Sequence, residues 1–213
     1  MSKQKSTDLY MYLNIIYISC LLISNIIAGR LFQFGKITLP SAIILFPITY
    51  IVGDIVVEVY GFKKSRKMTS IALLVCFFSS IVLYCTTKLP IPVDFINNDA
   101  YSTVFGIVPR TMIASFSSFY IGNISNAALM SIIKKVTNSR LLFVRTILST
   151  LVGEALDSIV FITVTFYNIL PHSSIMQMIL FQYFFKVAYE IIFTPILYGT
   201  VRLARNITSK NSI

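Results

Sequence analysis

Long runs without a charged residue are the feature that most restricts how this chain can fold. Three of them, Leu9–Gly29, Met68–Thr87 and Thr111–Ile133, contain 21, 20 and 23 residues. A helix needs roughly 20 apolar residues to cross a hydrocarbon core of about 30 Å. Only 12% of all residues are charged, against roughly 25% in a soluble domain. The chain is therefore predicted to be an all-α integral membrane protein.

The apolar runs divide the chain into six predicted transmembrane helices. They form one membrane domain over residues 1–213, with spans at about 9–29, 38–60, 68–87, 107–133, 141–168 and 175–201. Loops on the N-terminal side carry 12 of the 18 lysines and arginines, and loops on the other side carry three. An excess of cations marks the cytoplasmic side of a membrane protein, so both termini are predicted to be cytoplasmic.

Composition and motifs also exclude several classes of function. The net charge of +10 does not indicate nucleic-acid binding, because most cations lie in short loops between apolar runs. Cys20, Cys76 and Cys85 lie inside apolar runs without the spacing of metal ligands, and no cofactor is predicted. A glycine-rich phosphate loop, an HExxH motif and a Ser–His pair within a span are all absent. These absences argue against an enzyme and leave lipids and a small molecule as the expected partners.

Two short matches favour an inverted repeat of three plus three helices. Val52-Gly53-Asp54 and Val152-Gly153-Glu154 lie 100 residues apart, and Ile23-Ser24-Asn25 and Ile124-Ser125-Asn126 lie 101 apart. Because three is odd, the two halves would cross the membrane in opposite directions, as in many secondary transporters. Matches of three residues also arise by chance in apolar sequence, and the third spans show none, so both explanations stay open.

Carboxylates inside predicted spans are the strongest functional signal, because an unpaired charge there costs several kcal/mol. Five acidic residues share this setting: Asp54, Glu58, Glu154, Asp157 and Glu190. Three bases lie inside spans or at their ends: Arg110, Arg145 and Lys186. Either these charges only pair helices, or they line a polar cavity. Lys186 and Glu190, at i and i+4, are the pair expected to be structural. For the rest a cavity is favoured, since small or hydroxyl residues suffice to hold helices together.

Neutral polar side chains extend this pattern. Asn25 and Asn126 lie in the middle of apolar runs, together with several serines. Amides, hydroxyls and carboxylates around a cleft suit a flat, polar heterocycle, for which Phe161 or Phe119 is a candidate stacking partner.

Several runs, in this order, resemble the vitamin uptake transporter family. They are Leu22–Asn25, Phe46–Asp54, Glu58–Gly61, Arg110–Ser115, Arg145 with Leu148–Thr150, Gly153-Glu154, Asp157-Ser158, Phe161 and Tyr183–Lys186. The similarity covers about residues 10–200. Gln182 departs from the pattern, because some members carry an acidic residue just before the Tyr183 position. The resemblance implies import of queuosine precursors, the 7-deazaguanine bases preQ0, preQ1 or queuine, across the bacterial inner membrane.

The charges and the resemblance together predict a substrate site. Asp157 or Glu154 is expected to accept the ring N–H and the exocyclic amine of the base as a bidentate pair. Asp54 is expected to line the same cavity from the other half. The remaining predicted site residues are Asn25 and Asn126 as hydrogen-bond partners, Arg110 and Arg145 as counter-ions or gates, and Phe161, Lys186 and Glu190.

The driving force and the assembly stay open at this point. Facilitated diffusion with metabolic trapping and proton-coupled uptake both fit the residues. Because no ATP-binding motif is present, ATP drive requires a partner, which would make the chain the substrate-binding subunit of a multi-subunit (ECF-type) importer. The alternative from another class is a structural membrane protein whose charges only pair helices. The chain could work alone or as a homodimer.

Overall fold

A computed structural model describes residues 2–35, 37–92, 94–136 and 142–209. Seven helices account for most of this: α1 (Ser2–Ile27), α2 (Phe46–Tyr60), α3 (Phe62–Thr86), α4 (Asn98–Gly106), α5 (Val108–Val136), α6 (Leu142–Phe166) and α7 (His172–Ser209). Two short strands, β1 (Leu31–Phe34) and β2 (Ile37–Pro40), form a hairpin after α1, and a 3₁₀ helix (Ser41–Ile44) follows it.

Within the described residues, five helical segments are long and apolar enough to cross a membrane. They are Ser6–Ile27, Phe62–Thr86, Asn98–Ile133, Ile147–Phe166 and His172–Phe193. Large apolar side chains cover their outer faces, among them Leu74, Phe77 and Phe78 of α3. Contiguous apolar surface of this kind suits lipid and not water. The prediction of a helical membrane protein is confirmed at this level, while the sixth crossing, the repeat and the orientation of the termini stay predictions.

The second predicted span, 38–60, differs most from the structure. Its first residues form β2 and the 3₁₀ helix, and α2 has only 15 residues, Phe46–Tyr60. Proline explains this, because it lacks the N–H that a helix interior uses and is best tolerated in the first turn. Pro40 ends β2, and Pro47 lies in the first turn of α2. The 3₁₀ helix and α2 together have a length of about 30 Å.

The described residues form two compact units. Unit 1 comprises Met1–Arg30, Pro40–Val108 and Tyr189–Ile213. Within it α1, α2 and α3 pack against one another. Gly61 is the single residue between α2 and α3, with φ of 85°, a conformation that glycine adopts without strain.

Aromatic and cationic side chains join the ends of these three helices. The Tyr10 hydroxyl donates a hydrogen bond of 3.0 Å to the Lys64 carbonyl, and the Tyr60 hydroxyl donates one of 3.0 Å to the Ser6 carbonyl. The Lys64 ammonium lies 5.2 and 5.1 Å from the ring centroids of Tyr10 and Tyr60, within cation–π range. This basic corner of unit 1 coincides with a loop predicted to be cytoplasmic.

Unit 2 comprises Leu31–Leu39 and Pro109–Ala188, and thus α5, α6 and the first part of α7. Arg110, at the start of α5, bonds to the end of α6, while Gly122 meets Gly153 further along. α5 and α6 therefore run antiparallel. Unit 2 also contains most of the buried polar side chains of the described chain, namely Thr111, Ser115, Ser118, Ser149, Ser158, Thr165, Gln182 and Lys186. Its interior is the polar part of the molecule.

Candidate functional site

Two glycines bring the backbones of α5 and α6 into contact. A Cβ atom on Gly153 would lie 3.0 Å from the Gly122 carbonyl oxygen and 3.1 Å from Asn126 Cβ. A Cβ atom on Gly122 would lie 3.1 Å from the Gly153 carbonyl oxygen and 3.2 Å from Asp157 Cβ. At either position a methyl group would fit only if its neighbours moved by a few tenths of an ångström. The contact therefore places Asn126 of α5 and Asp157 of α6 at the same helix crossing.

Lys186 of α7 binds both carboxylates of α6. Its Nζ lies 3.1 Å from Glu154 Oε2 and donates a hydrogen bond to Asp157 Oδ2. The Lys186 side chain is 5% exposed, whereas those of Glu154 and Asp157 are 25% and 21% exposed. We call these three residues the ion triad. The solvent-exposed surface of the ion triad therefore comes mainly from the two acidic side chains. Such a surface is suited to accept hydrogen bonds.

Glu154 keeps accepting capacity within the triad. Its Oε2 is at ion-pair distance from Lys186, yet it makes no hydrogen bond with any described residue. A carboxylate can accept several hydrogen bonds. The acceptor for a ligand N–H is therefore already present beside the buried ammonium.

Further buried oxygens in unit 2 make no hydrogen bond within the described part of the chain. They are Asn126 Oδ1, Ser158 Oγ, Thr165 Oγ1 and Gln182 Oε1. Leaving one buried polar atom unsatisfied costs about 1–3 kcal/mol, and most such atoms in native proteins are paired. Their clustering in the unit that holds the ion triad is a property expected of a site for a polar ligand.

Helical spacing explains how these oxygens relate to the triad. Glu154, Ser158, Phe161 and Thr165 follow one another at intervals of four, three and four residues on α6, so they lie on one face. On α7, Gln182 precedes Lys186 by one turn and shares its face.

Phe161 is the better placed of the two predicted stacking residues. Its side chain is 2% exposed, whereas that of Phe119 on α5 is 40% exposed. Phe161 also lies on the same face of α6 as Glu154. Of the two rings, Phe161 is thus the one that can bound a polar pocket.

Arg110 binds the end of α6. Its Nε donates a 2.7 Å hydrogen bond to the Val164 carbonyl, and Nη2 donates to the Tyr167 carbonyl. The last carbonyls of a helix have no partner within the helix and favour a cation. Arg110, predicted as a counter-ion or gate, thus has a capping role, and the cation on the α6 carboxylates is Lys186.

The structure places the other predicted residues as follows. Asn25 is buried in α1 of unit 1, where its Nδ2 donates a hydrogen bond of 2.9 Å to the Leu21 carbonyl. Asp54 is an exposed residue of α2, also in unit 1. The side chains of Arg145 and Glu190 lie outside the described part, so pairing of Lys186 with Glu190 stays a prediction. The described part of the chain contains no group of three metal-ligating side chains.

Sequence reasoning missed three of the polar residues in unit 2. Ser158 and Thr165 are not predicted as site residues, and Gln182 is noted only as a departure from a family pattern. Ser158 lies four residues after Glu154, and Gln182 lies four residues before Lys186. In a helix each is therefore on the same face as the charged residue. This spacing can be read from the sequence. It points to a site once the carboxylates and Lys186 are known to lie together.

The chain is similar to known proteins over most of its length. Residues 40–200 match the model of a family described as "Putative vitamin uptake transporter". A protein of Bacillus subtilis (strain 168) named "Probable queuosine precursor transporter" is 24% identical over 164 residues, which are 76% of this chain and 72% of that protein. No solved structure matches. The ion triad and the polar residues around it all lie inside the matched range.

Proposed function

Because the chain belongs to the vitamin uptake transporter family, we propose that it imports a queuosine precursor, a 7-deazaguanine base, across the bacterial inner membrane. The family and the apolar helices make it a multi-pass membrane transporter and not an enzyme. The proposed substrate follows from the name of the Bacillus subtilis relative and from the chemistry of unit 2.

The ion triad is the observation that carries this proposal. A guanine-like ring presents a ring N–H and an exocyclic amine side by side, and both are donors. Glu154 and Asp157 share a face of α6 and keep partial exposure, so they can accept both hydrogens. Charge-assisted hydrogen bonds of this kind are about twice as strong as neutral ones, and a low local dielectric strengthens them.

Other residues complete the proposed site. Asn126 lies at the crossing beside Gly153 and can bond to the ring carbonyl through its amide. Phe161 offers an apolar face for the flat ring. Contributions of Asn25, Asp54, Arg145 and Glu190 stay predictions from the sequence.

Complementation tests the substrate and the site together. A strain that makes no precursor and lacks its own importer is given this chain and each base in turn, and queuosine in tRNA is measured. We expect the wild type to restore queuosine with at least one base. Asp157→Asn should abolish it at an unchanged level of protein in the membrane, whereas Asp99→Asn, at an exposed position of α4, should behave as the wild type.

Two results would contradict the proposal at different points. Failure of the wild type with every base excludes this substrate class. Full activity of Asp157→Asn excludes the site while leaving the substrate intact.

Reconstitution separates autonomous transport from an ATP-driven assembly. We expect the purified chain to move the base into liposomes without a partner. Co-purification with an ATPase, combined with no transport by the chain alone, would instead make it the substrate-binding subunit of a larger importer.

A further inference from the structure

Gln182 and Ser158 stand out because they are neutral and buried, and each lies one turn from a triad member on its own helix, Lys186 and Glu154 respectively. We propose that they form a second contact surface of the substrate site, which binds the ring edge next to the edge held by the carboxylates. This inference rests on the proposed function and adds to it a rule of specificity: the site takes a free base and rejects one substituted at N9.

Burial and missing partners are the first part of the argument. Gln182 is 2% exposed and Ser158 is fully buried, and the Oε1 and Oγ atoms make no hydrogen bond among the described residues. A glutamine that served only packing would be more stable as methionine, which fills similar volume without an unsatisfied oxygen. The amide is best explained by a donor that arrives with a ligand.

Position is the second part. α6 and α7 are antiparallel neighbours at two levels, since Lys186 binds Glu154 and Asp157, and the rings of Tyr167 and His172 lie 6.2 Å apart at the connecting turn. Ser158 follows Glu154 by four residues, and Gln182 precedes Lys186 by four. Both steps run toward the connecting turn, so the two side chains come to the same level, about 6 Å along the helices from Glu154 and Lys186.

Ligand chemistry is the third part. In a 7-deazaguanine the edge next to the exocyclic amine carries one acceptor, N3, and one donor, N9–H. The Gln182 Oε1 atom would accept the hydrogen of N9, and the Ser158 hydroxyl would donate to N3. One helical turn of about 5.4 Å is comparable to the width of the fused ring, so a single base can reach both levels.

The consequence is selection against substitution at N9. A methyl group or a ribose there removes the donor and meets two fully enclosed side chains. A nucleoside would therefore be rejected even though its amine edge still fits the carboxylates.

Calorimetric binding to the purified full-length protein in detergent tests this inference. The probes are 7-aminomethyl-7-deazaguanine and its N9-methyl derivative, and the variants are Gln182→Met and Gln177→Met, the latter at an exposed position of α7. We expect the wild type and Gln177→Met to bind the free base at least tenfold more tightly than the N9-methyl derivative. Gln182→Met should bind the free base about tenfold more weakly and lose most of the discrimination, a change expected for one hydrogen bond.

The unfolding temperature of the ligand-free protein distinguishes binding from a structural role. Gln182→Met should unfold at the same temperature as the wild type or higher, since it removes an unsatisfied oxygen. A lower unfolding temperature assigns Gln182 to the fold and overturns the inference, as does unchanged discrimination by the variant. Equal binding of both probes by the wild type overturns the inference alone, whereas no binding of either probe, nor of the other two bases, preQ0 and queuine, overturns the proposed function with it.

Discussion

Lys186 is the cation that binds the two carboxylates of α6 in the described part of unit 2. Its side chain is almost fully buried, and two carboxylates from another helix bind it. Removing one member of a buried ion pair is much more damaging than replacing the whole pair, because the remaining charge is left without compensation.

Lys186→Met should therefore destabilise the protein strongly. We expect a loss of about 3 kcal/mol in the free energy of unfolding, since Glu154 and Asp157 would face each other without a cation. Chemical unfolding in detergent measures it. The double variant Lys186→Met with Asp157→Asn should recover part of the lost stability. The control Lys135→Met, at an exposed site on α5, should change stability by less than about 0.5 kcal/mol. A Lys186→Met protein as stable as the wild type would contradict the ion triad.

The sequence predicts the acids of the triad and only part of their pairing. Glu154 and Asp157 stand out because they interrupt an apolar run at i and i+3. Lys186 is predicted to pair with Glu190, because spacing reports on residues of the same helix. Its contact with α6 depends on the register between two helices, which no local pattern in one chain contains.

At the scale of the helices, the crossing of α5 and α6 sets the geometry of the site. Gly122 and Gly153 let the two backbones approach to contact distance, as small residues do in membrane helix pairs. The crossing also positions Asn126 and Asp157.

Gly153→Ala should separate these two helices. The added methyl meets the Gly122 carbonyl oxygen at 3.0 Å, and we expect a cost of about 1–3 kcal/mol together with weaker ligand binding. Gly199→Ala is the matched control, because a Cβ there meets nothing within 4 Å and alanine favours a helix by up to about 1 kcal/mol. Thermal unfolding of both variants checks this, and equal stability of the two would refute the close crossing.

Several helices follow the predicted spans closely. The predicted span 141–168 corresponds to Leu142–Phe166, and 107–133 corresponds to Val108–Val136. The second span, predicted over about 38–60, is not one continuous helix in the structure. The prediction rests on apolar character, which takes no account of Pro40 and Pro47. Hydropathy records the cost of entering lipid and carries little information about backbone hydrogen bonds.

On the scale of the whole molecule, the inverted repeat stays a prediction. Its two marker glycines have different surroundings in the structure. A Cβ on Gly53 would lie 3.8 Å from the Tyr17 ring, whereas one on Gly153 would lie 3.0 Å from backbone. Short sequence matches record residue type, and the packing around them depends on neighbours that the matches do not include.

Orientation in the membrane gives the prediction for the complete chain. Single cysteines at Ser65 and Asn97 are introduced after replacing Cys20, Cys76 and Cys85 by serine. Because cations mark the cytoplasmic side, Asn97→Cys should react with an impermeant maleimide in intact cells, and Ser65→Cys only after permeabilisation.

The reverse pattern of labelling would invert the predicted orientation. Labelling of both sites from the same side would show that α3, which begins just before Ser65 and ends before Asn97, does not cross the membrane.

The ion triad also bears on how the chain enters the bilayer during synthesis. A charged side chain at the centre of a lone membrane helix costs roughly 2.5–3.5 kcal/mol on insertion. α6 carries two such groups and α7 carries the ammonium that neutralises one of them, with a short connection between the helices. We therefore expect α6 to be fully stable in lipid only once α7 has been synthesised, and the two helices to enter the bilayer together as a hairpin.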